Sequence, residues 1–288
     1  TTLNPTTAPV TTTQTPTTTP TTTQSPTTAP IPTTTQTPTT TQTPTTTSTP
    51  TTTTSTTTTT TTTAKLCSWN TTAVTVAGFG QLNTPIGFYF DKTNQIMYIG
   101  DYGSNSVIRW ILGQPNGTVI TASQFTSLTG VTVDSNGTVY ASDSGSGKFL
   151  KFSAGSNSTT VGTVVDTTGG ANVCVDTRNN DIYLLSAGRI LRYPLGSAPY
   201  QVAAGDTSGG SNLNELSGPN GCYIDPSNGN IYVADNGNNR VLRFPSGSTN
   251  TTNGTIVAGG NGSGPNANQL SNPRGVVVDQ SGNVFVTD

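Results

Sequence analysis

The chain has 288 residues, of which 8% are charged, and it carries a formal net charge of -2 with no histidine. Such a weak charge does not hold a nucleic acid or an anionic membrane, so we expect neither as a partner. No run reaches the ~18 consecutive apolar residues of a spanning helix, so no membrane insertion is expected within the sequence. Because it starts at Thr1, we expect a fragment or processed form, from which a signal peptide or anchor can have been lost.

Residues 1–64 form a first region that consists almost only of Thr, Pro, Gln and Ser. A segment with so few apolar side chains cannot offset the entropy cost of ordering, so we expect it to be disordered and biased toward polyproline II. Ser/Thr-rich sequence with interspersed Pro is typical of O-glycosylated stalks. The sequence therefore predicts a mucin-like stalk, and an unmodified low-complexity linker is the alternative.

Residues 65–288 have the opposite character, with short β-branched and aromatic runs separated by Gly, Asn, Asp and Pro. This pattern predicts many strands joined by tight turns and no long helix. One unit recurs five times, a short apolar run that ends in an aspartate. These aspartates are Asp91, Asp134, Asp176, Asp225 and Asp279, with spacings of 43, 42, 49 and 54 residues.

Each copy of the unit continues into further apolar runs. The second runs are 96–101, 139–143, 182–186, 231–235 and 284–288. A third run has the shape apolar-apolar-basic-aromatic, as in Val241 to Phe244, and a fourth short run precedes the next copy, at 73–77, 201–204 and 255–258. Four short strands in a period of about 40 to 50 residues predict the blade of a β-propeller, in which neighbouring blades stack to bury their faces.

The repeat resembles that of the NHL-repeat family, most clearly from Leu216 to Gly221, Gly229 to Asp235 and Asn238 to Phe244, and again from Leu270 to Asp288. The resemblance implies an all-β, six-bladed propeller, of which about five blades are present. Residues 73–77 are then expected to supply the outer strand of the final blade. One copy departs from the pattern, because Ser186 replaces the usual aspartate and its hairpin is two residues shorter than the next one.

Two groups of aspartates recur along the repeats, and we interpret both as structural. Those that end the first runs stand before turns, where a carboxylate can accept backbone N–H bonds in an Asx-turn. The second group opens Gly/Asn-rich hairpins and can pair with a following base such as Arg240. A calcium site is the alternative, but it needs several oxygens within ~2.6 Å of one ion. We therefore predict no metal and no cofactor. The second group consists of Asp101, Asp143, Asp235 and Asp288.

Basic residues recur at one position of the third run, namely Arg109, Lys151, Arg192 and Arg243. A residue that is present in successive blades is explained most simply by the construction of the blade. A basic rim that binds RNA, as in some relatives of the NHL family, is the alternative.

Seven asparagines begin N-x-[ST] sequons, a density that fits a secreted glycoprotein. Several of them are followed by Gly, and Asn-Gly is also the preferred dipeptide of type I′ hairpin turns. For each of these asparagines, the sequence therefore allows either glycosylation or a role in turn formation. They are Asn70, Asn116, Asn136, Asn157, Asn250, Asn253 and Asn261.

The three cysteines are Cys67, Cys174 and Cys222, too few for a disulfide scaffold and without the spacing of a zinc site. Cys174 lies two residues before the aspartate of its copy, and Cys222 lies three residues before. Alternation along a strand then directs the two side chains to opposite faces. We therefore expect two separate buried thiols, with a disulfide between them as the alternative.

The absence of histidine excludes Ser-His-Asp and Cys-His nucleophiles, and histidine-ligated zinc, within these 288 residues. No G-x-x-x-x-G-K-[ST] phosphate loop is present either. The sequence thus predicts no catalytic constellation.

Three functions from different classes follow. The first is a monomeric, non-catalytic recognition module, extracellular or on the cell surface, that binds a protein, peptide or glycan through loops such as 102–106 and 206–216. The second is a metal-assisted hydrolase or lyase of the propeller type, whose site is completed by blades beyond this sequence. The third is an intracellular scaffold of the ubiquitin-ligase type, against which the stalk and the sequons count.

Overall fold

The computed structural model describes residues 73–78 and 80–288. The expected stalk at residues 1–64, Cys67 and the sequon at Asn70 lie outside the described residues. The described part is all-β, with eighteen strands and two short 3-10 turns, at Pro194–Gly196 and Asn236–Asn238. Within that part, no helix has the length and apolar character needed to cross a bilayer.

Sixteen of the strands form four antiparallel sheets of four strands each, and these sheets are the blades. Blade 1 contains β1 (Pro85–Asp91), β2 (Ile96–Asp101), β3 (Ser106–Ile111) and β4 (Thr118–Val119), and blade 2 contains β5 (Leu128–Val133), β6 (Val139–Asp143), β7 (Lys148–Phe152) and β8 (Thr163–Asp166). Blade 3 contains β9 (Asn172–Asp176), β10 (Asp181–Ser186), β11 (Arg189–Tyr193) and β12 (Gln201–Gly205), and blade 4 contains β13 (Pro219–Ile224), β14 (Ile231–Asp235), β15 (Arg240–Phe244) and β16 (Thr255–Gly259). A fifth sheet pairs β17 (Gly275–Val278) with β18 (Val284–Thr287).

The strands coincide with the apolar runs because alternate residues of each run pack on the two faces of a blade. Leu242 and Phe244 of β15 belong to the core shared with blade 3, whereas Val241 belongs to the core shared with the fifth sheet. The aromatic residue that ends each third run, such as Phe244 or Trp110, is fully buried. Arg243, between Leu242 and Phe244, is half-buried.

The first strands of successive blades contact one another in chain order, which places them around the centre of the propeller. Their backbones approach so closely that glycine is required at one position. A Cβ added to Gly130 of β5 would lie 2.8 Å from the Cα atom of Asn172 in β9, nearer than real Cβ atoms come. The glycine that precedes four of the five apolar runs is therefore a packing residue.

The prediction of an all-β propeller is confirmed, and the structure refines its count to four complete blades and a two-stranded fifth sheet. A six-bladed ring stays a prediction. No described strand pairs with residues 73–77, so the outer strand of the final blade expected there stays a prediction. Instead, Ala77 packs against the core formed by Ile99, Ile108 and Trp110 in blade 1.

The expectation of separate thiols is also wrong, because Cys174 of β9 and Cys222 of β13 form a disulfide, with Cα atoms 6.1 Å apart. The two side chains do point to opposite faces of their blades. In a propeller, however, one face of a blade packs against the opposite face of the next blade. Opposite directions therefore bring the two sulfurs together between blades 3 and 4.

Candidate ligand-binding site

The propeller has two ends that carry different loops. The connectors between blades, at 120–127, 167–171, 206–218 and 260–274, share one end with the hairpins that follow β2, β6, β10 and β14. We call this the connector end. Hairpins between first and second strands, and loops between third and fourth strands, lie at the opposite end. Binding residues concentrate in loops held by a rigid scaffold, so both ends are candidates.

At the connector end, aspartates of the second strands fasten each connector to its blade. Asp143 is fully buried and accepts hydrogen bonds from the backbone N–H groups of Thr126 at 2.9 Å and Ser127 at 2.8 Å. Burial alone would raise the pKa of Asp143, but these bonds and one from Ser146 Oγ hold it below its ordinary value. Equivalent bonds join Asp101, Asp235 and Asp288 to the backbone of Asn83, Ser217 and Ser271.

Blade 4 completes this arrangement with a buried ion pair. The Nε of Arg240 donates to Oδ2 of Asp235 at 2.7 Å. The other two guanidinium nitrogens donate to the carbonyl oxygens of Ser211, Asn212 and Glu215, at 2.7, 2.8 and 3.1 Å. Because every nitrogen of this guanidinium has a partner within the blade and its connector, the group is unavailable to a ligand.

Blade 3 lacks this arrangement at the same place. Ser186 stands where the other blades have aspartate, and its Oγ makes only a long hydrogen bond, 3.4 Å, to the carbonyl oxygen of Thr168. The hairpin has two residues, Ala187 and Gly188, with φ angles of 46° and 78°. Two successive positive φ angles define a type I′ turn, the compact form of a hairpin. The hairpin of blade 3 therefore protrudes less from the connector end than the longer hairpins of the neighbouring blades do.

A cavity of ≈480 Å³ occupies the connector end beside this short turn. Leu185 and Leu216 lie beneath it with fully buried side chains, and Asn220 contributes an amide that can donate and accept hydrogen bonds. No ionisable side chain lines it. Its other lining residues are Ala171, Ala187, Gly188, Thr207, Ser208, Gly209, Ser217, Gly218 and Pro219. Small residues bring backbone N–H and C=O groups to the surface, where a ligand can reach them.

A second cavity, of ≈360 Å³, lies at the opposite end between blades 2 and 3. Its wall includes Asp134, Lys151 and Tyr140. The carboxylate of Asp134 is engaged, since it accepts bonds from the backbone N–H groups of Asn136 and Thr138, both at 2.9 Å. Asn136 also lines this cavity and begins a sequon. A glycan there would obstruct the entrance.

The aspartates that end the first runs all lie at the opposite end, each in a turn. Asp91, Asp134, Asp176, Asp225 and Asp279 accept hydrogen bonds from the backbone N–H two residues later. Asp176 also forms an ion pair with Arg178 at 2.7 Å. Residues 73–78 and 80–288 contain no group of three or more Asp, Glu, Cys or His side chains placed to hold a metal ion.

The recurring bases of the third strands do not converge on a common site. Arg192 pairs with Asp181 at 2.6 Å and is engaged within blade 3. Arg109, Lys151 and Arg243 occupy the same position in three other blades, so they are distributed around the propeller.

The sequon asparagines are exposed at all six described positions. Five of them lie in loops of the opposite end, namely Asn116, Asn136, Asn157, Asn250 and Asn253. Asn261 lies in the connector after β16. The sequons therefore concentrate away from the cavity at the connector end.

Sequence reasoning named the loop 206–216, which contributes to the connector-end cavity, but missed the facing turn at Ala187 and Gly188 and the amide of Asn220. The loop 102–106, named with it, lies at the connector end of blade 1 and lines neither cavity described above. The missing aspartate at Ser186 and the shortened hairpin were the available signal, because a shorter hairpin uncovers the space behind it.

Comparison with known proteins supports the assignment of the described part to the β-propellers. The NHL repeat model matches residues 216–244, so this segment is an NHL repeat, and the described part of the chain is a β-propeller. No curated protein sequence matches the chain. Among solved structures, a nidogen/laminin complex is similar, with 19% identity, a TM-score of 0.56 and 72% of each chain covered. Virginiamycin B lyase from Staphylococcus aureus is similar at 14% identity and a TM-score of 0.52, with 74% of this chain and 66% of the lyase covered.

Proposed function

We propose that this protein is a non-catalytic recognition or adhesion module, extracellular or on the cell surface, whose connector end binds a protein, peptide or glycan. The observation that carries the proposal is the ≈480 Å³ cavity between the turn of blade 3 and the connector 206–218. A cavity of this size with an apolar surface and a few polar groups is the usual form of a binding site.

The chemistry of the lining favours binding over catalysis. General acid–base work requires an ionisable side chain within hydrogen-bond reach of the substrate. The lining offers hydroxyl groups of Ser and Thr, the amide of Asn220 and backbone groups, but no carboxylate, amine or thiol. Such a surface can recognise shape and hydrogen-bond pattern without reacting. The likeness to a lyase concerns the fold, and a fold hosts many functions.

The distribution of sequons favours the connector end as the binding surface. Five exposed sequon asparagines lie in loops of the opposite end. N-linked sugars are bulky and cover the surface around them. Glycans at that end would leave the connector end accessible to a macromolecular partner.

Three features support an extracellular or cell-surface location. The disulfide between Cys174 and Cys222 is typical of proteins from oxidising compartments. The exposed sequons fit glycosylation, and the Thr/Pro-rich region 1–64 has the composition of a mucin-like stalk. The similar fold in a nidogen/laminin complex is consistent with a protein partner.

The test is a binding screen with two variants that fill the cavity. The full chain, expressed in a secretory host, is screened against arrays of extracellular protein domains, peptides and glycans. Thr207→Trp and Asn220→Trp place an indole in the cavity, and we expect each to weaken binding about tenfold or more, as for the centre of an interface. Thr93→Trp in an exposed turn of the opposite end is the control. Equal affinity of all three variants would contradict the proposal.

A separate experiment tests the location. Glycan mapping of the native protein is expected to find N-linked sugar on sequons of the opposite end and O-linked sugar in residues 1–64. A protein without any sugar and with reduced Cys174 and Cys222 would contradict an extracellular site.

A further inference from the structure

The second cavity, at the opposite end, is built on one face of blade 2. Lys151 of β7 has Tyr140 of β6 and Thr163 of β8 as its cross-strand neighbours, and all three line the cavity. Lys151 is half-buried, and none of the three ion pairs among residues 73–78 and 80–288 includes it. This face therefore combines an ammonium group with residues that carry hydroxyl groups.

Asp134 adds an acceptor to the same cavity. Its Oδ1 accepts the hydrogen bonds from the backbone N–H groups of Asn136 and Thr138. Its Oδ2 accepts one long hydrogen bond, at 3.3 Å, from the hydroxyl group of Tyr140. Each carboxylate oxygen has two lone pairs, so Oδ2 can accept a further bond. A ligand that both donates and accepts hydrogen bonds fits between Asp134 and Lys151.

Two apolar side chains complete the lining. Val161 and Leu195 line the cavity and are 74% and 68% exposed. Leu195 has a φ angle of 50°, which is uncommon for a residue other than glycine, and its backbone N–H donates to Oδ1 of Asp181 at 3.1 Å. Polar groups beside exposed apolar side chains suit a sugar, which has hydroxyl groups around its ring and an apolar C–H face.

The corresponding place between blades 3 and 4 is filled by a side chain of the protein. Arg178 stands two residues after Asp176, as Asn136 stands two residues after Asp134. The guanidinium of Arg178 pairs with Asp176 at 2.7 Å. It also reaches blade 4, where it donates a long hydrogen bond, 3.4 Å, to Oγ of Ser246. Arg178 therefore joins the turn of one blade to a loop of the next.

Between blades 2 and 3 the equivalent side chains leave a gap. Ser246 stands two residues after the end of β15, and Leu195 stands two residues after the end of β11. Asn136 and Leu195 thus hold the positions that Arg178 and Ser246 hold one blade later, and both line the second cavity. The cavity lies where a longer group on Asn136 would join the two blades.

We propose that Asn136 carries an N-linked glycan whose first sugar, an N-acetylhexosamine, lies in the second cavity and joins blades 2 and 3. This inference rests on the proposed extracellular location and makes one sequon a structural modification site. Hydroxyl groups of the sugar bind Asp134 and Lys151, and its apolar face packs against Val161 and Leu195. Within the described part of the chain, Asn136 is exposed and its only hydrogen bond is the one from its backbone N–H, so its side-chain amide is available.

A covalently attached sugar occupies this cavity in preference to a free ligand. A sugar linked to Asn136 has little translational freedom left to lose, so its effective concentration at the cavity is high. The volume of ≈360 Å³ lies within the ~300–1,000 Å³ of small-molecule sites.

The first experiment measures access to the bond between asparagine and sugar. The full chain from a secretory host is treated, while folded, with an amidase that cleaves this bond, and mass spectrometry of glycopeptides follows each sequon over time. We expect release from Asn136 about tenfold more slowly than from Asn157, and similar rates in the unfolded chain. Asn157 is the matched control because it is exposed in the loop after β7 and lines neither cavity described above.

Two variants test the contacts of the sugar. Lys151→Met removes the ammonium group, and Leu195→Gly removes an apolar side chain where the positive φ angle suits glycine. Each should bring release from Asn136 to the rate at Asn157, since a hydrogen bond to a charged group accounts for about tenfold in such an equilibrium. Leu213→Gly, at a leucine that is 40% exposed in the connector 206–218, is the control and should leave release slow.

Thermal unfolding separates the sugar from the amide that carries it. Asn136→Gln should lower Tm by about 2–4 °C in the glycosylated protein. The same substitution should leave Tm unchanged in chain secreted into the periplasm of a bacterial host that attaches no glycan. Asn157→Gln should have no effect in either host.

The proposal is overturned if Asn136 is bare while Asn157 and Asn253 carry sugar, if its glycan is released from the folded protein as fast as that of Asn157, or if Asn136→Gln changes Tm equally in both hosts. Each of these outcomes leaves the extracellular location intact, because other sequons still carry sugar. A chain without sugar at any sequon overturns the location together with this inference.

Discussion

Blades 3 and 4 are neighbours built from one repeat, and they differ at the connector end in the residue opposite the third-strand arginine and in the length of the hairpin. Blade 4 has Asp235 and Arg240, both buried and paired, with the connector 206–218 bound to the guanidinium. Blade 3 has Ser186 and Arg189, a shorter turn and a buried nitrogen without an acceptor. The comparison shows that one copy of the repeat lacks the carboxylate that its neighbour keeps, and that its hairpin is shorter by two residues.

The largest expected effect is the loss of stability when the Asp235 carboxylate of blade 4 is removed. Asp235→Ala leaves the guanidinium of Arg240 buried without its counter-ion, and removing one partner of a buried pair costs about 3–5 kcal/mol. The free energy of unfolding from denaturant titration measures it. Ser186→Ala is the control, expected within about 0.5 kcal/mol because Ser186 makes only a long hydrogen bond. Similar losses in both variants would refute the contrast between the blades.

The second effect concerns the disulfide that joins the two blades. Its cysteines are 48 residues apart, and the entropy of closing such a loop corresponds to stabilisation of about 4 kcal/mol, of which measured cases often deliver less. Cys174→Ala with Cys222→Ala should lower the free energy of unfolding by about 2–4 kcal/mol. The double variant should not respond to a reducing agent, whereas the unmodified protein should. If a reducing agent lowers the free energy of unfolding equally in the unmodified protein and the double variant, this disulfide is not the source of the stabilisation.

The third effect is a loss of stability in acid. Burial opposes ionisation of Asp143, but its hydrogen bonds lower its pKa in the folded state. A carboxylate with a lowered folded pKa contributes stability above its unfolded pKa, near ~3.9, and loses it as the pH falls through the folded value. The free energy of unfolding should therefore decrease below about pH 4. Asp143→Asn should show a shallower decrease, and an unchanged slope would contradict this origin.

The smallest expected effect is a gain in stability from a new ion pair in blade 3. Ser186→Asp should pair with Arg189 as Asp235 pairs with Arg240 and raise the free energy of unfolding by about 1 kcal/mol, the scale of a partly exposed ion pair. Denaturant titration measures the gain. The same substitution in an Arg189→Gln background should give no gain, which separates pairing from a general effect of the new carboxylate. Equal gains in both backgrounds would refute the pairing.

The sequence by itself determined the class of fold and most strand positions. The recurring aspartates and apolar runs set the period, and β2, β6, β14 and their neighbours lie where the runs predicted, because alternation along a strand is a local property. It also marked Ser186 as the departure from the repeat. Residues 73–77, predicted as the outer strand of the final blade, pair with no described strand, since a strand requires a partner that local sequence does not reveal.

The tertiary structure decided what depends on contacts between blades. Cys174 and Cys222 meet because facing surfaces of neighbouring blades are opposite faces, a relation that exists only after the blades stack. The cavity likewise combines a turn of blade 3 with a connector and the start of β13, from positions as far apart as Ala171 and Asn220. Long-range packing brought these residues together.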